Sequence, residues 1–290
     1  MKQLVAFAAG LILLLLVVGL IYGGKPVGGC VGVIRVEGEL FSSGGGVLGG
    51  GASAREVVGW LEEARSDAGV KSVLLTVNSP GGSAAASKEV FEAVRRLDKP
   101  SVAFLGEVAA SGGYHVASAT DWVVANPNAL TGSIGARATF LNYRQLFEKL
   151  GLREETVKSG ALKDMLSGYK DVSDEERLIL SQLINESFDN LVSDIRTARG
   201  EKVENAFFRQ ALDARLLSAK QALKAGLVDE LGVERKALEK AVVLGNVSSV
   251  GDVCVFESKR TLADLINVFG ASIGRGAATA LGSAPKLEFS

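Results

Sequence analysis

The sequence predicts an α/β protein built on a parallel sheet, with a transmembrane helix at its N-terminus. Three observations lead to this fold class. Strand-length runs of β-branched residues alternate with amphipathic helical runs, glycine-rich turns join them, and the chain begins with a long uncharged apolar stretch. Strands that alternate with helices in this way are typical of parallel βαβ units with right-handed crossovers.

The N-terminal stretch Leu4–Tyr22 has 19 residues and no charge. This is about the length that crosses a bilayer core of roughly 30 Å. A cleaved signal peptide has a shorter apolar region of about 7–15 residues, so the stretch indicates an uncleaved anchor. Lys2 precedes it and Lys25 follows it. The positive-inside bias then favours a cytoplasmic N-terminus, with the rest of the chain on the extracytoplasmic side.

The first half of the chain continues with well-marked elements. Lys71–Val77 is a nearly continuous apolar run, which is typical of a strand buried on both faces. The pattern predicts strands at Val31–Val36, Lys71–Val77, Ser101–Leu105 and Trp122–Ala125. It predicts helices from the cap Ser53 to about Ser66, at Ala84–Leu97 and at Gly112–Ala119.

The second half is predicted to be mainly helical. Ser173 and Glu176 form a capping box that opens a long helix to about Ala198. Further helices are predicted at Tyr143–Leu150, Ser218–Ala225 and Glu234–Val243, and strands at Ala138–Leu141, Glu155–Val157 and Val253–Phe256. Thr261–Leu281 is either a docking helix or a frayed tail. The predicted organisation is an anchor at 1–22, a linker at 23–30, an α/β domain at 31–257 and a C-terminal helical segment or tail at 258–290.

Composition excludes several classes of function. The 32 Lys and Arg residues nearly balance 33 Asp and Glu residues, so nothing indicates a nucleic-acid partner. His115 is the one histidine of the chain, which excludes a multi-histidine metal centre. Cys30 and Cys254 are too few for a disulfide framework or a metal site. We therefore expect neither a metal nor a cofactor.

The stretch Val108–Tyr114 carries the first candidate catalytic residue, Ser111. A serine at a strand-to-helix turn has its hydroxyl exposed at the end of a sheet, and the next amide points to where a carbonyl oxygen would lie. Gly112 and Gly113 would let a substrate backbone approach closely. A tight turn in which the serine caps the helix explains this stretch alone equally well.

A second glycine loop, Ser79–Gly82, follows the neighbouring strand. Ligands of parallel sheets bind beyond the carboxyl ends of the strands, where both loops would emerge. Amides of Gly81 or Gly82 and of Gly112 could then form a two-donor oxyanion hole in front of Ser111.

Five motifs in order resemble those of the signal peptide peptidase A family. They are Asn78–Ser83, Ala109–Tyr114, Ala125–Gly135, Lys158–Asp164 and Gly226–Gly232, and the resemblance covers roughly residues 30 to 235. Members of this family are membrane-anchored serine proteases of the Clp/crotonase superfold with a Ser-Lys dyad. The resemblance implies stacked βαβ units, remnants of signal peptides as substrates, anchorage in the lipid bilayer and a homo-oligomer that encloses the active sites.

Carried over to this sequence, the resemblance makes Ser111 the nucleophile and Lys163 the general base. Ser133 would hydrogen-bond the lysine amine, and Gly82 and Gly112 would lie in the oxyanion-hole region. The position after Tyr114 is usually aromatic in the family, and here it is His115.

The proposed base has chemical requirements of its own. A lysine accepts a proton only when it is neutral, which requires burial to lower its pKa. Lys163 lies in an apolar run, so we expect it to be buried and the carboxylate of Asp164 to point away from it. The alternative for Lys163 taken alone is a solvated surface lysine. His115, four residues after Ser111, is the competing base, although packing or rim contact suits it better.

The sequence therefore predicts a membrane-anchored serine endopeptidase. Two other functions compete with it. A crotonase-type enzyme acting on acyl-CoA would share the paired glycine loops, but it would need a carboxylate base and a nucleotide-binding feature. A catalytically idle membrane scaffold of the same fold would need no activated hydroxyl.

Overall fold

The computed structural model describes residues 29–43 and 53–257. The predicted anchor at 4–22 and the predicted segment at 261–281 lie outside these residues. Within the two described ranges, the chain has no helix with the length and apolar character needed to cross a membrane.

The described residues form a mixed α/β sheet with helices packed against it. The strands are β1 (Cys30–Glu37), β2 (Val70–Ser79), β3 (Ser101–Ala110), β4 (Trp122–Ala125), β5 (Leu130–Gly132), β6 (Leu216–Ser218), β7 (Glu230–Leu231) and β8 (Val253–Phe256). The helices are α1 (Ala54–Ser66), α2 (Ala84–Arg95), α3 (Gly112–Ser118), α4 (Arg144–Lys149), α5 (Asp174–Arg199), α6 (Ala206–Ala211), α7 (Ala219–Lys224) and α8 (Glu234–Gly245), with a 3₁₀ turn at Gly200–Val203.

The sheet runs in the order β6-β5-β3-β2-β1-β8, and β4 lies beside β3 and pairs with β7. All pairs are parallel except β5 with β6, which confirms the predicted parallel βαβ arrangement. The central strand β3 extends to Ala110, five residues beyond the predicted end at Leu105. Its first half pairs with β4 and its second half with β5, so pairing across the sheet lengthens it.

Local sequence explains the helix starts. Ser53 and Glu56 form a capping box at α1, and Ser173 and Glu176 form another at α5, as predicted for the latter. A large apolar core includes residues from the sheet and from α1, α2 and α3, with Tyr114 among its fully buried side chains. A smaller cluster packs β-strand residues against α8.

Two of the strands predicted after Gly135 are wrong. The runs at Ala138–Leu141 and Glu155–Val157 form no strand in the described chain, because neither pairs with a neighbouring strand and a strand depends on such pairing.

Cys30 and Cys254 form a disulfide that joins β1 to β8. Their separation of 224 residues hides this pairing from the sequence, and the parallel register of β1 with β8 brings them together.

Candidate active site

Ser111 sits at the turn between β3 and α3, as predicted, with φ +52° and ψ −122°. This region is rarely adopted by residues with a side chain and costs on the order of 1–3 kcal/mol. The backbone holds it there, since the Ser111 amide donates to the Gly132 carbonyl at 2.8 Å and the His115 amide donates to the Ser111 carbonyl at 2.9 Å. Ser111 occupies the N-cap position of α3, but its side chain makes no helix-capping hydrogen bond, so capping does not engage the hydroxyl.

The second glycine loop lies directly against this turn. Ser79 at the end of β2 pairs with Ala109 near the end of β3, so both loops leave the same edge of the sheet. A Cβ placed on Gly81 would be 2.8 Å from the nitrogen of Gly112, which shows how closely the two loops approach each other.

Hydrogen bonding separates the two glycines of this loop. The Gly81 amide donates to Ser79 Oγ at 3.2 Å. The Gly81 carbonyl accepts from the Leu40 amide at 2.8 Å, and the Leu40 carbonyl accepts from the Ser83 amide at 2.9 Å. The Gly82 amide has no partner among residues 29–43 and 53–257. Gly82 is therefore the glycine of the pair whose N–H is free to bind an oxyanion.

The second donor of the predicted oxyanion hole is Gly112. It is the first residue of α3, so its amide has no acceptor inside the helix. Such N–H groups at a helix N-terminus favour a negative charge in front of them. Gly82 and Gly112 thus provide two amides on adjoining loops beside Ser111.

Ser133 joins the same site from β5. It follows Gly132, whose carbonyl holds the Ser111 amide, and its own amide donates to the Arg215 carbonyl at 2.9 Å. Like Ser111, it has a positive φ, +49°. Both serines line one cavity of about 1510 Å³ together with Gly81, Gly82 and Gly112.

This cavity has one apolar wall and a lining that elsewhere includes charged residues such as Lys88, Arg137 and Asp194. Leu180, Leu183, Ile184 and Leu191 of α5 form one wall. Small residues of α2 and of the loop after Gly135 also line it, with Met165 and Leu166 near the predicted base.

Lys163 is the one predicted site residue that the structure does not bring to the cavity. Its side chain is exposed and makes no hydrogen bond or ion pair with any described residue. The expected burial is therefore not found within a single chain. The Asp164 carboxylate bonds Lys158 at 2.7 Å and Lys170 at 2.9 Å rather than Lys163, which matches the expectation that it points away.

His115 is buried one helical turn after Ser111, and both of its ring nitrogens have hydrogen-bond partners. Its Nε2 lies 2.9 Å from Asp194 Oδ2 and its Nδ1 lies 3.2 Å from Ser87 Oγ. Its ring stacks on Phe91 with centroids 4.6 Å apart. Burial lowers the pKa of His115, and the neighbouring Asp194 opposes this. Because both nitrogens have other partners, His115 packs against the site rather than serving Ser111 as its base.

Sequence reasoning did not find Ser87 and Asp194. Asp194 interrupts the apolar stripe of α5, where a charged residue is costly unless it is paired. It also accepts from Lys88 at 2.8 Å. The partner on α3 is 79 residues away in sequence, and no local pattern connects the two.

The structure thus brings the Ser111 side chain and the amides of Gly82 and Gly112 together at one cavity. Residues 93–248 match the family model Peptidase family S49. The chain belongs to this peptidase family. It is therefore a peptidase, a hydrolase of peptide bonds, as predicted.

Individual relatives agree with this membership. A protein of Methanocaldococcus jannaschii named as a protease is 35% identical over 238 residues, which cover 81% of this chain and 76% of that one. A protein of Enterococcus faecium named as a signal peptide peptidase SppA is 36% identical over 203 residues, 69% of this chain and 57% of that one. Protease 4 of Haemophilus influenzae is 30% identical over 221 residues, 74% of this chain and 35% of that one.

The resemblance to the signal peptide peptidase A family is thus confirmed. The chain spans less than two thirds of the length of the Enterococcus and Haemophilus relatives. A solved structure of a membrane-bound stomatin-specific protease aligns with a TM-score of 0.49 and 14% identity, over 81% of this chain and 100% of that one.

Proposed function

We propose that this peptidase is a membrane-anchored serine endopeptidase with Ser111 as nucleophile and Lys163 as general base. The observation that carries the proposal is the Ser111 turn, whose hydroxyl is free of the helix and faces a cleft beside two backbone amides. A backbone held at a positive φ at this position is typical of a nucleophile presented to substrate.

The reaction follows from these groups. Ser111 Oγ attacks the scissile carbonyl carbon while a neutral Lys163 amine takes the hydroxyl proton. The amides of Gly82 and Gly112 bind the resulting oxyanion. The lysine ammonium then protonates the leaving amine, which leaves an acyl-enzyme on Ser111, and water attacks that ester to release the second peptide. Ser133 lies in the cleft where it could orient the amine.

The position of Lys163 favours completion of the dyad by a second subunit. The segment 136–172, which carries Lys163, exposes five large apolar side chains: Leu141, Leu146, Leu150, Leu152 and Val157. Exposed apolar surface of this kind marks interaction sites. In a homo-oligomer, contact through this segment would bury Lys163 near a neighbouring Ser111 and lower its pKa.

The substrates we propose are apolar peptides left in or near the membrane, such as remnants of signal peptides. The apolar wall of the cleft fits such side chains, and the stretch Leu4–Tyr22 would place the enzyme at the bilayer. The disulfide Cys30–Cys254 favours the extracytoplasmic side, because disulfides persist in oxidising compartments.

Family membership argues against the acyl-CoA enzyme considered from the sequence. The Asp194 carboxylate at the cleft is already bound by His115 and Lys88, which makes it unsuitable as a free base. An idle scaffold is separated from an active protease by reaction of Ser111 with a fluorophosphonate, which requires an activated hydroxyl.

Mixed oligomers test the proposal most directly. Ser111→Ala and Lys163→Ala should each abolish cleavage of a fluorogenic apolar peptide by the full chain. Mixing the two inactive variants under conditions that exchange subunits should restore part of the activity if Lys163 serves a neighbouring subunit. Wild type mixed with Ser111→Ala is the control for exchange. Activity in the Lys163→Ala variant alone would contradict the assignment of the base.

A further inference from the structure

The loop that carries Lys163 contains a compact charge cluster. The Asp164 Oδ1 atom accepts from Lys158 Nζ at 2.7 Å and from Lys170 Nζ at 2.9 Å. Lys170 Nζ also donates to Glu176 Oε1 at 2.5 Å. These are the charged groups that face Asp164: two lysines from its own loop and, through Lys170, Glu176 of α5.

We propose that Lys158 and Lys170 are positioning residues that neutralise Asp164, so that its carboxylate does not hold the adjacent base Lys163 in its ammonium form. This inference rests on the proposed role of Lys163. It adds to that role a means by which the chain itself favours a neutral amine at this position.

The need for such a device is electrostatic. A carboxylate within several Å of an amine stabilises the ammonium and raises its pKa, which opposes general-base catalysis. Asp164 is the residue next to Lys163, so a free carboxylate there would act in this direction. The two lysines direct the carboxylate away and place positive charge around it, and positive charge nearby lowers the pKa of an amine.

Protonation of Asp164 does not remove its negative charge in the pH range in which a lysine base works, so only the lysines can offset that charge. Hydrogen bonds from Lys158 and then Lys170 lower its pKa to about 2. The carboxylate is therefore ionised throughout the range in which a lysine base works, and the neighbouring cations alone offset its charge.

The two lysines differ in a way that makes the inference testable. Besides Asp164, Lys158 bonds the Ala161 carbonyl at 2.7 Å, within the same loop. Lys170 bridges the loop to Glu176, which is 2% exposed and accepts from the Ser173 amide at the start of α5. Loss of Lys170 would alter both charge and attachment of the loop to α5, whereas loss of Lys158 would alter mainly the charge.

The experiment measures hydrolysis of a fluorogenic apolar peptide by the full chain in detergent as a function of pH. Lys158→Met should move the midpoint of the rising limb to higher pH by about half to one unit, with the high-pH plateau retained. Lys170→Met should show a similar shift together with a lower plateau. Lys158→Arg keeps the charge and should retain the wild-type midpoint.

Removal of the carboxylate provides the matched test. Asp164→Asn added to Lys158→Met should return the midpoint to the wild-type value, because one charge of each sign is then absent. Asp164→Asn alone should leave the midpoint unchanged or lower it, which keeps the inference testable if the Met variants fold poorly.

The outcomes are distinguishable from failure of the proposed function. Unchanged midpoints in the Met variants, or an upward shift in Asp164→Asn, would show that the cluster only holds the loop in shape and would overturn this inference. An active Lys163→Ala variant would instead remove the proposed base itself.

Discussion

The turn at Ser111 and the loop at Lys163 are built in opposite ways. Ser111 follows a strand paired on both sides, and the residues that flank it, Ala110 and Gly112, are buried. Lys163 lies in a stretch of turns between α4 and α5, and its side chain is exposed. The sheet thus holds the proposed nucleophile and the proposed oxyanion donors in place within one chain, whereas the position of the proposed base depends on what the loop contacts.

The largest expected effect on activity comes from a change at the Ser111 turn. Ser111→Ala should lower peptide hydrolysis by at least about 10³-fold, since it removes the hydroxyl that attacks the substrate in the proposed reaction. Helix content by circular dichroism and subunit assembly should stay unchanged. Residual activity above roughly a tenth of wild type would rule Ser111 out as the nucleophile.

The next largest loss of activity is expected from a substitution in the glycine loop Ser79–Gly82. A Cβ on Gly82 would lie 2.3 Å from the Leu40 carbonyl oxygen, and Gly82 has φ +148°. Gly82→Ala should therefore displace the free amide and reduce kcat by about 10²–10³-fold. Gly59→Ala in α1 is the matched control, because its Cβ meets nothing within 4 Å, and its activity should equal wild type. Equal kcat in both variants would contradict the role of Gly82.

If the segment that carries Lys163 forms a subunit contact, activity should also change when exposed residues of that segment far from the cleft are substituted. Leu150 is 62% exposed in the segment that carries Lys163, and Val243 of α8 is 73% exposed on a different element. Leu150→Asp should weaken assembly and lower activity by about tenfold, because a charge in an apolar contact costs a few kcal/mol at most sites. Val243→Asp should change neither, as measured by sedimentation and peptide hydrolysis. The reverse pattern would assign the contact to α8.

The smallest effect is expected at His115. Burial lowers its pKa in the folded chain, so folding favours the neutral imidazole. Its contribution to the free energy of unfolding is present above the unfolded pKa of about 6.5 and is lost as pH falls through the lower folded pKa. His115→Phe should retain most activity and show a weaker loss of stability on acidification, measured by urea unfolding at several pH values. Equal acid sensitivity in both proteins would place the titration elsewhere.

The sequence determined much of the local architecture. Alternating apolar patterns located β1, β2, β4 and β8 and most helices, because amphipathic periodicity and capping boxes are properties of neighbouring residues. The same reasoning placed Ser111 at a strand-to-helix turn and the glycine loops at one edge of the sheet. Motif order then identified the peptidase family, which the comparisons confirmed.

Only the tertiary structure decided the features that depend on distant partners. The short strands β5 and β6 exist because β5 pairs with β3 and β6 pairs with β5, whereas the runs at 138–141 and 155–157 have strand-like composition but no strand partner among the described residues. Long-range strand pairing likewise joined Cys30 to Cys254, and hydrogen bonding distinguished Gly81, whose amide donates to Ser79 Oγ, from Gly82. Within a single chain Lys163 is exposed despite its apolar sequence neighbours, because a side chain is buried only by the surfaces that pack around it.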